Sequence, residues 1–306
     1  MKLLILFLIA TSMNFASGRT IYGQDGVQVV KPGNKNMSEQ VEKLASGVCS
    51  IGKNGKASEC CSGFLVAPDL VLTNFHCLTC LNKSVKGQPD PFVTLIGSFF
   101  GRLFGKEPQD SEYDSLIKEK GVVRTLNENY SKDFTGINLH HIEGSRKSKI
   151  LKITELVDAN EALDFSLVRI ERKIEETENH HIFSLSNRPV ELDTRLINIG
   201  HPGKSPAPGY KVFDDTDECR VSSLIAPLGI KKEVFAHKCD TNGGSSGSPM
   251  IEKETGRVVG LHFAGGAKNE KEEGFNLTFN RAVKMEKILE YLKVNQPDAY
   301  SELTVW

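Results

Sequence analysis

The sequence predicts an all-β protein, and three observations support that prediction. From about residue 48 onward, short apolar runs alternate with Gly, Pro, Asn and Asp, a spacing typical of sandwiches and barrels. Strong helical periodicity is confined to Arg281–Val294, near the C-terminus. No repeat period of about 20–50 residues points to a solenoid or propeller. The strand-like runs are Gly63–Ala67, Leu70–Thr73, Phe92–Ile96, Phe165–Ile170, Leu196–Gly200 and Arg257–Phe263.

Composition and charge exclude several classes of protein. The 306 residues are 39% hydrophobic and 25% charged, enough core for one large domain or two small ones. Lys plus Arg number 38 against 39 Asp plus Glu, a net charge of −1, which argues against a nucleic-acid partner. The 27 Gly and 12 Pro fall well short of a disordered or fibrous composition. We therefore expect a compact, soluble body that binds no nucleic acid.

Residues 1–18 have the layout of a secretory signal peptide. Lys2 provides the positive start, Leu3–Ala10 the apolar run, and Ala16-Ser17-Gly18 the small-residue cleavage site. The alternative is a membrane anchor, but the run is shorter than the roughly 20 apolar residues that a span requires. No later stretch is long and apolar enough to span a membrane. We therefore expect a secreted or periplasmic protein.

The remaining chain divides into three parts. Residues 19–47 are predicted to be an N-terminal extension or propeptide, in which Ser38 could cap a short helix. Residues 48–294 form the main domain, with a poorly specified insertion at about 80–150. Residues 295–306 are a C-terminal tail.

The chain has seven cysteines, an odd number that leaves at least one thiol without an intramolecular partner. In an exported protein we expect most of them to form disulfides. A zinc site is the alternative, because several cysteines crowd around His76. The adjacent pair Cys60-Cys61 does not have the usual ligand spacing, however, and we expect no metal or other cofactor. The cysteines are Cys49, Cys60, Cys61, Cys77, Cys80, Cys219 and Cys239.

The segment Asp240–Pro249 (DTNGGSSGSP) has the composition that covalent acyl transfer requires. A serine between glycines is reachable, and the backbone N–H groups nearby can point at a developing oxyanion. A flexible linker is the alternative. Strand-like segments on both sides, Lys232–His237 and Arg257–Phe263, favour a tight functional turn instead.

Two serines could be the nucleophile. Ser245 fits G-x-S-x-G, but that pattern belongs to a fold in which the acid and the histidine follow the serine and strands alternate with helices. Here the only downstream histidine is His262. Ser246 instead requires a histidine and then an acid upstream, each near a strand end. His76 follows one apolar run, and Asp164 precedes another.

At this point the chain resembles the trypsin/chymotrypsin-like serine proteases, whose triad runs in the order His, Asp, Ser. Cys61–Cys77 is similar to the family's strand, turn and strand ending in T-A-A-H-C. Leu163–Val168 resembles the D-[I/F/Y]-[A/S]-L motif around the acid, and Gly244–Pro249 resembles G-D-S-G-G-P. The resemblance covers roughly residues 48–294.

A finer set of motifs is similar to the glutamyl endopeptidase branch, which is typical of secreted bacterial enzymes. Thr73–His76 matches T-N-x-H, and Gly200–Gly203 matches G-[Y/H]-P-G. Asp240–Pro249 matches D-T-x-G-G-x-S-G-S-P, and Gly260–His262 matches G-[I/L]-H at the pocket wall.

The resemblance implies two six-stranded antiparallel β-barrels with the site in the cleft between them, followed by a C-terminal helix. It implies that Ser246 is the nucleophile, His76 the general base and Asp164 its orienting acid. The backbone N–H groups of Gly244 and Ser246 would form the oxyanion hole. Thr241 and His262 would line the specificity pocket.

The resemblance also implies a disulfide between Cys61 and Cys77. A second one between Cys219 and Cys239 is plausible, because these residues flank a segment that could fold back on itself. Among the remaining three cysteines, two are expected to pair, and the sequence leaves open which two.

The chain departs from the family pattern in three ways. His76 and Asp164 are 88 residues apart, about twice the usual separation, which requires an insertion in the first barrel. Ser245 replaces the Asp that pairs with a new N-terminus in trypsin-like zymogens. Asp240 stands where trypsin keeps the acid that binds Arg or Lys.

Specificity therefore has two competing predictions. A pocket His and a Thr hydroxyl would bind a substrate Glu carboxylate, which we favour, whereas an Asp facing the pocket would bind Arg or Lys. A catalytically silent binding protein and an esterase remain alternatives to a peptidase. For a peptidase we expect polypeptide substrates and a monomer.

Overall fold

The computed structural model describes about three fifths of the chain. The described residues are 21, 25–53, 61–79, 135–139, 150–171, 173–174, 180–202, 210–224, 233–265, 271–272, 275–276 and 279–306. Outside them lie the predicted signal peptide at 1–18, Cys60, Cys80, the run at 92–96 and most of the predicted insertion at 80–150.

The described chain folds mainly into β-strands, as predicted. The strands are β1 (Gln28–Val29), β2 (Val48–Lys53), β3 (Cys61–Ala67), β4 (Leu70–Thr73), β5 (Thr135–Asn138), β6 (Ile150–Asn160), β7 (Phe165–Ile170), β8 (Leu196–Gly200), β9 (Val212–Asp214), β10 (Val221–Ser223), β11 (Val234–His237), β12 (Pro249–Glu252), β13 (Val258–Ala264), β14 (Lys271–Glu272), β15 (Phe275–Asn276) and β16 (Asn280–Lys284). The helices are α1 (Glu39–Ala45), α2 (Phe75–Thr79), α3 (Met285–Asn295) and α4 (Pro297–Ser301). Among the described residues, each helix falls short of the length and hydropathy needed to cross a bilayer.

Six strands close the first barrel in the order β2-β3-β4-β7-β6-β5. Every residue of β3 and β4 is buried, because one face of these strands lines the barrel interior and the other packs in the core shared with the second sheet. The interior contains Ile51, Leu65, Val71, Ile137 and Val168. Strand β5 lies within the predicted insertion, yet it completes the barrel between β2 and β6.

The second unit is an antiparallel sheet in the order β1-β9-β8-β12-β13-β16-β11-β10. It curls into a half-barrel whose two sides meet at one end. There the N–H of Leu196 donates to the carbonyl of Cys219 (2.7 Å), and the N–H of Val221 donates to the carbonyl of Thr194 (3.0 Å). Six neighbouring strands of this sheet form the curved wall, in the order β8-β12-β13-β16-β11-β10. The predicted all-β, two-barrel architecture with a C-terminal helix is confirmed.

Residues 25–47 pack into the body of the protein. Strand β1 pairs with β9, and the Ser38 hydroxyl caps α1 by accepting a hydrogen bond from the N–H of Val41 (3.2 Å). The fully buried Lys211 Nζ donates to the carbonyl of Ala45 (2.6 Å) and to the carbonyl of Leu139 (2.6 Å). This lysine joins the N-terminal segment to both barrels.

The predicted helix at Arg281–Val294 is wrong in its first four residues. Asn280–Lys284 forms β16, and the helix begins at Met285. Strand β16 pairs with β11 on one side and β13 on the other, and Val283 lies opposite both Val234 and Leu261. Hydrogen bonding on both sides outweighs the helical spacing of a few apolar residues.

The C-terminal tail at 295–306 is tied to the segment that joins the two barrels. The N–H of Leu185 donates to the carbonyl of Thr304 (2.8 Å), and the N–H of Trp306 donates to the carbonyl of Leu185 (3.0 Å). Arg169 of the first barrel forms a forked ion pair with Glu302.

Candidate active site

His76 and Asp164 meet where two neighbouring strands end. Strands β4 and β7 are antiparallel, with Thr73 opposite Ser166, so the end of β4 lies beside the start of β7. His76 Nδ1 lies 2.8 Å from Asp164 Oδ2, and the backbone N–H of His76 donates to Asp164 Oδ1 (3.0 Å). Both carboxylate oxygens therefore hold the histidine, which fixes its ring orientation.

Asp164 adopts a left-handed backbone conformation, with φ of +45°. It closes a turn in which its N–H donates to the carbonyl of Glu161 (3.1 Å). Left-handed geometry is unfavourable for most residues, but Asp tolerates it better than most and such strain is typical of functional sites. The Asn74 side chain donates to the carbonyl of Asp164 (2.8 Å) and helps hold it there.

The serine-rich loop is built from two consecutive turns. The N–H of Ser245 donates to the carbonyl of Asn242 (2.9 Å), and the N–H of Ser248 donates to the carbonyl of Ser245 (2.9 Å). Gly244 and Gly247 occupy the third position of each turn, with φ of +101° and +86°. A type II turn needs a positive φ at this position, which explains why the sequence places glycine at both sites.

Several amide groups of this loop are hydrogen-bonded within the described part of the chain. The N–H of Asn242 donates to Ser245 Oγ (3.3 Å), and the N–H of Gly247 donates to the carbonyl of His262 (2.9 Å). Within the part of the chain that the structure describes, the N–H groups of Gly244 and Ser246 have no acceptor. These are the two amides that the family resemblance assigns to an oxyanion hole, and their hydrogens remain available to a ligand.

Ser246 lies against the first barrel, close to the histidine segment. Its carbonyl accepts a hydrogen bond from the N–H of Ser62 (2.7 Å). The same carbonyl lies 3.8 Å from the Sγ atom of Cys77, the residue that follows His76. Its hydroxyl makes a long hydrogen bond of 3.4 Å to the carbonyl of Phe263. The structure thus places the backbone of Ser246 against the segment that carries His76.

His262 is buried and pairs with a second histidine, His237, which the sequence analysis missed. His262 Nδ1 lies 3.0 Å from His237 Nε2. Burial, reinforced by the charge of His76, lowers the pKa of His262 to about 3. Burial, and to a lesser extent the charge of His262, lowers the pKa of His237 well below its usual value. Both imidazoles are therefore neutral near pH 7.

The hydrogen bond between these rings determines which nitrogen carries each proton. His237 Nδ1 has no partner among the described residues, and a buried N–H without an acceptor is costlier than a bare lone pair. The proton of His237 is therefore on Nε2, which donates to His262 Nδ1. This leaves the proton of His262 on Nε2, and a hydrogen bond between this ring and the backbone of Arg281 opposes part of the lowering of its pKa. His237 ends a predicted strand, but only the strand pairing could reveal that it contacts His262.

Asp240 and Thr241 are both buried, and the Asp240 carboxylate contacts the N-terminal segment. Its Oδ2 accepts a hydrogen bond from the N–H of Gly26 (2.8 Å). Its own N–H donates to Asp214 Oδ2 (2.7 Å). A side chain on Gly26 would collide with Thr216 and Asp214, so the glycine permits this close approach.

The described cysteines around His76 do not fit a zinc ion. Donor atoms of Cys61, His76 and Cys77 lie within 4.8 Å of one another, but Cys61 and Cys77 form a disulfide. Zinc binds thiolates, and a disulfide offers none. A second disulfide joins Cys219 to Cys239, while Cys49 is free and buried. Burial raises the pKa of the Cys49 thiol to about 12. Cys60 and Cys80 lie outside the described residues.

Two solved structures are similar to this chain, and the first supports this architecture. Neuropsin, a serine protease expressed in the limbic system of mouse brain, superposes with a TM-score of 0.51 at 14% identity, over 82% of this chain and 94% of that one. The Rv3671c protease in its inactive form gives a TM-score of 0.46 at 14% identity, over 87% of this chain and 96% of that one. The likeness to neuropsin concerns the fold alone. No curated protein matches the chain by sequence.

The sequence itself matches one family. The trypsin-like peptidase domain matches residues 61–261, about two thirds of the chain. The matched region begins at the first cysteine of β3, includes His76, Asp164 and Ser246, and ends within β13. The family supports serine protease activity in general. The chain therefore belongs to the trypsin-like peptidase family.

Proposed function

We propose that this protein is a secreted serine endopeptidase that uses Ser246, His76 and Asp164. The observation that carries the proposal is the pairing of His76 with both carboxylate oxygens of Asp164, at 2.8 and 3.0 Å, beside the Ser246 loop. Such a histidine is oriented to serve as a base, and a serine hydroxyl needs a base to become a nucleophile.

The proposed reaction proceeds through an acyl-enzyme. Ser246 Oγ attacks the scissile carbonyl carbon while His76 Nε2 takes the hydroxyl proton. His76 then gives that proton to the leaving amine as the C–N bond breaks. Water then attacks the ester carbonyl by the same two proton transfers, which releases the carboxylic acid product and restores Ser246. Asp164 stabilises the imidazolium formed in each half-reaction.

The unbonded N–H groups of Gly244 and Ser246 would stabilise the oxyanion that forms at each tetrahedral step. Losing one such donor typically costs about 10²–10³ in turnover. Among the described residues, the N–H groups of Ser245 and Gly247, on either side of Ser246, are bonded while those of Gly244 and Ser246 are not, and this pattern supports the assignment.

We propose a preference for Glu before the cleaved bond, as in the glutamyl endopeptidase branch. The neutral His262 has its proton on Nε2, and Thr241 has a hydroxyl, so both can donate to a carboxylate. The alternative preference for Arg or Lys would need a carboxylate facing the pocket. The bond from Gly26 to Asp240 holds that carboxylate toward the N-terminal segment, which favours Glu.

We propose that the signal at 1–18 exports the protein and that residues 48–294 form the peptidase domain. The packing of β1 and α1 favours an extension that stays with this domain over a propeptide that is removed. Burial of Val41, Leu44 and Ala45 in the shared core supports this choice. Two disulfides are consistent with an oxidising compartment.

A panel of peptides that differ only in the residue before the cleaved bond tests the proposal. Wild-type protein should cleave the Glu peptide fastest, and Ser246→Ala should cleave none. Folded wild-type protein with no turnover on any peptide would favour a silent binding protein. Fast ester hydrolysis without peptide cleavage would favour an esterase. A clear preference for Arg would overturn the pocket assignment and leave the triad untouched.

A further inference from the structure

Ser62, the second residue of β3, contacts three segments around the proposed site. It is fully buried. Its N–H donates to the carbonyl of Ser246 (2.7 Å), and its carbonyl accepts from Thr73 Oγ1 (2.8 Å). Its hydroxyl donates to the carbonyl of Gly244 (2.9 Å) and accepts from the N–H of His201 (2.8 Å). A single residue of the first barrel thus bonds both residues whose amides would form the oxyanion hole.

The Ser62 hydroxyl acts on the peptide unit between Gly244 and Ser245. The carbonyl of that unit accepts from Ser62, and its N–H donates to the carbonyl of Asn242 (2.9 Å). The unit is therefore held at both ends. Because a peptide unit is planar, holding its two polar groups fixes its orientation.

The backbone of Ser62 acts on the unit between Ser246 and Gly247 in the same way. The carbonyl of that unit accepts from the N–H of Ser62, and its N–H donates to the carbonyl of His262 (2.9 Å). The N–H of Gly244 belongs to the peptide unit just before the first held unit. The N–H of Ser246 belongs to the unit between the two held units. Ser62 thus restrains both units that flank the Ser246 amide, and one that flanks the Gly244 amide.

The loop packs directly against Ser62. A Cβ on Gly247 would lie 2.0 Å from the carbonyl oxygen of Ser62, so only glycine allows this approach. Glycines are also the residues with the most backbone freedom, and Gly243, Gly244 and Gly247 all lie in this loop. A loop of this composition needs restraint from outside, and the Ser62 hydroxyl supplies part of it.

We propose that the Ser62 side chain is a positioning residue that aims the Gly244 and Ser246 amides at the oxyanion. This inference rests on the proposed peptidase function. Ser62 touches no reacting atom; it acts through the loop backbone. Its loss should therefore weaken binding of the transition state more than binding of the substrate.

The test compares Ser62→Ala with wild type and with a matched control, Ser166→Ala. Ser166 is also a fully buried strand serine, and its hydroxyl makes no hydrogen bond among the described residues. For each protein, kcat and KM are measured on the best peptide of the panel, with the melting temperature alongside. A conservative variant, Ser62→Thr, retains a hydroxyl.

Two inhibitors separate the oxyanion from the rest of the substrate. With a peptide aldehyde, Ser246 Oγ bonds the carbonyl carbon, its proton passes to His76, and the carbonyl oxygen becomes an anion in the hole. With the same peptide carrying a reduced –CH₂–NH– bond, no such oxygen exists. The ratio of the two inhibition constants reports on the hole and is insensitive to the general stability of the fold.

We expect Ser62→Ala to lower kcat about tenfold or more and to raise the inhibition constant of the aldehyde by a similar factor. KM and the inhibition constant of the reduced peptide should stay within about threefold of the wild-type values. Ser166→Ala and Ser62→Thr should both stay near wild type. If Ser62→Ala does not fold, a folded Ser62→Thr with a tenfold loss overturns the proposal. So does a folded Ser62→Ala with unchanged kcat and aldehyde binding. Wild-type protein that cleaves no peptide would instead contradict the peptidase function itself.

Discussion

The buried lysine between the barrels offers a quantitative test of the packing. Burial lowers the pKa of Lys211 from its ordinary 10.5 to about 7, although the neighbouring Cys49 partly opposes the shift. A neutral amine has two N–H groups, and the Nζ atom has two acceptors, the carbonyls of Ala45 and Leu139. Above pH 7 the folded protein therefore favours the uncharged form.

The direction and size of the effect follow from proton linkage. Between pH 7 and 10.5 the unfolded chain binds a proton at Lys211 that the folded chain largely releases, so stability rises with pH in this window. Integrated from pH 7 to pH 9, the increase is about 2 kcal/mol. Below pH 7 both states are protonated, and the contribution no longer changes.

The assay is urea unfolding followed by circular dichroism at pH 7, 8 and 9, in a Ser246→Ala background to prevent self-digestion. Lys211→Met removes the titrating group, so its unfolding free energy should lack the rise seen with Lys211 present. Exposed Lys35→Met is the control and should retain the rise. An unfolding free energy that is flat across this range with Lys211 present, or an equal rise in Lys211→Met, would refute the burial argument.

Three further predictions concern the site. Asp164→Asn should lower kcat by about 10⁴ with little change in KM, because the histidine loses its orienting carboxylate; steady-state kinetics checks this. His237→Phe removes the donor to His262 Nδ1 and should reduce the preference for Glu over Gln before the cleaved bond, as measured by the ratio of kcat/KM values. Gly247→Ala should lower the melting temperature and abolish turnover, because its Cβ would collide with Ser62 at a positive φ; thermal unfolding and peptide cleavage report the two effects.

The sequence predicts the fold class and the candidate triad because both depend on local signals. Each predicted catalytic residue lies near an apolar run, and the runs within the described part of the chain are strands. The glycines at 244 and 247 indicate a tight loop, and the two turns account for both of them. Order along the chain then selects Ser246 over Ser245.

Contacts made across the sheet could not be predicted in the same way. The pairing of His237 with His262 depends on the register of β11, β16 and β13. No short stretch of sequence indicates that register. Ser62 lies 184 residues from Ser246, so no local pattern connects them. The early start of the predicted helix has the same origin, because strand pairing on both sides of β16 overrides local periodicity.

The most direct test of the account is covalent labelling with a fluorophosphonate, which reacts only with an activated serine. Ser246 Oγ should displace fluoride and gain a single phosphonyl group, located by peptide mass mapping. His76→Ala, although folded, should remain unlabelled. A protein that cleaves peptides yet carries the label on another residue, or takes up none, would contradict the assignment of Ser246 as the nucleophile.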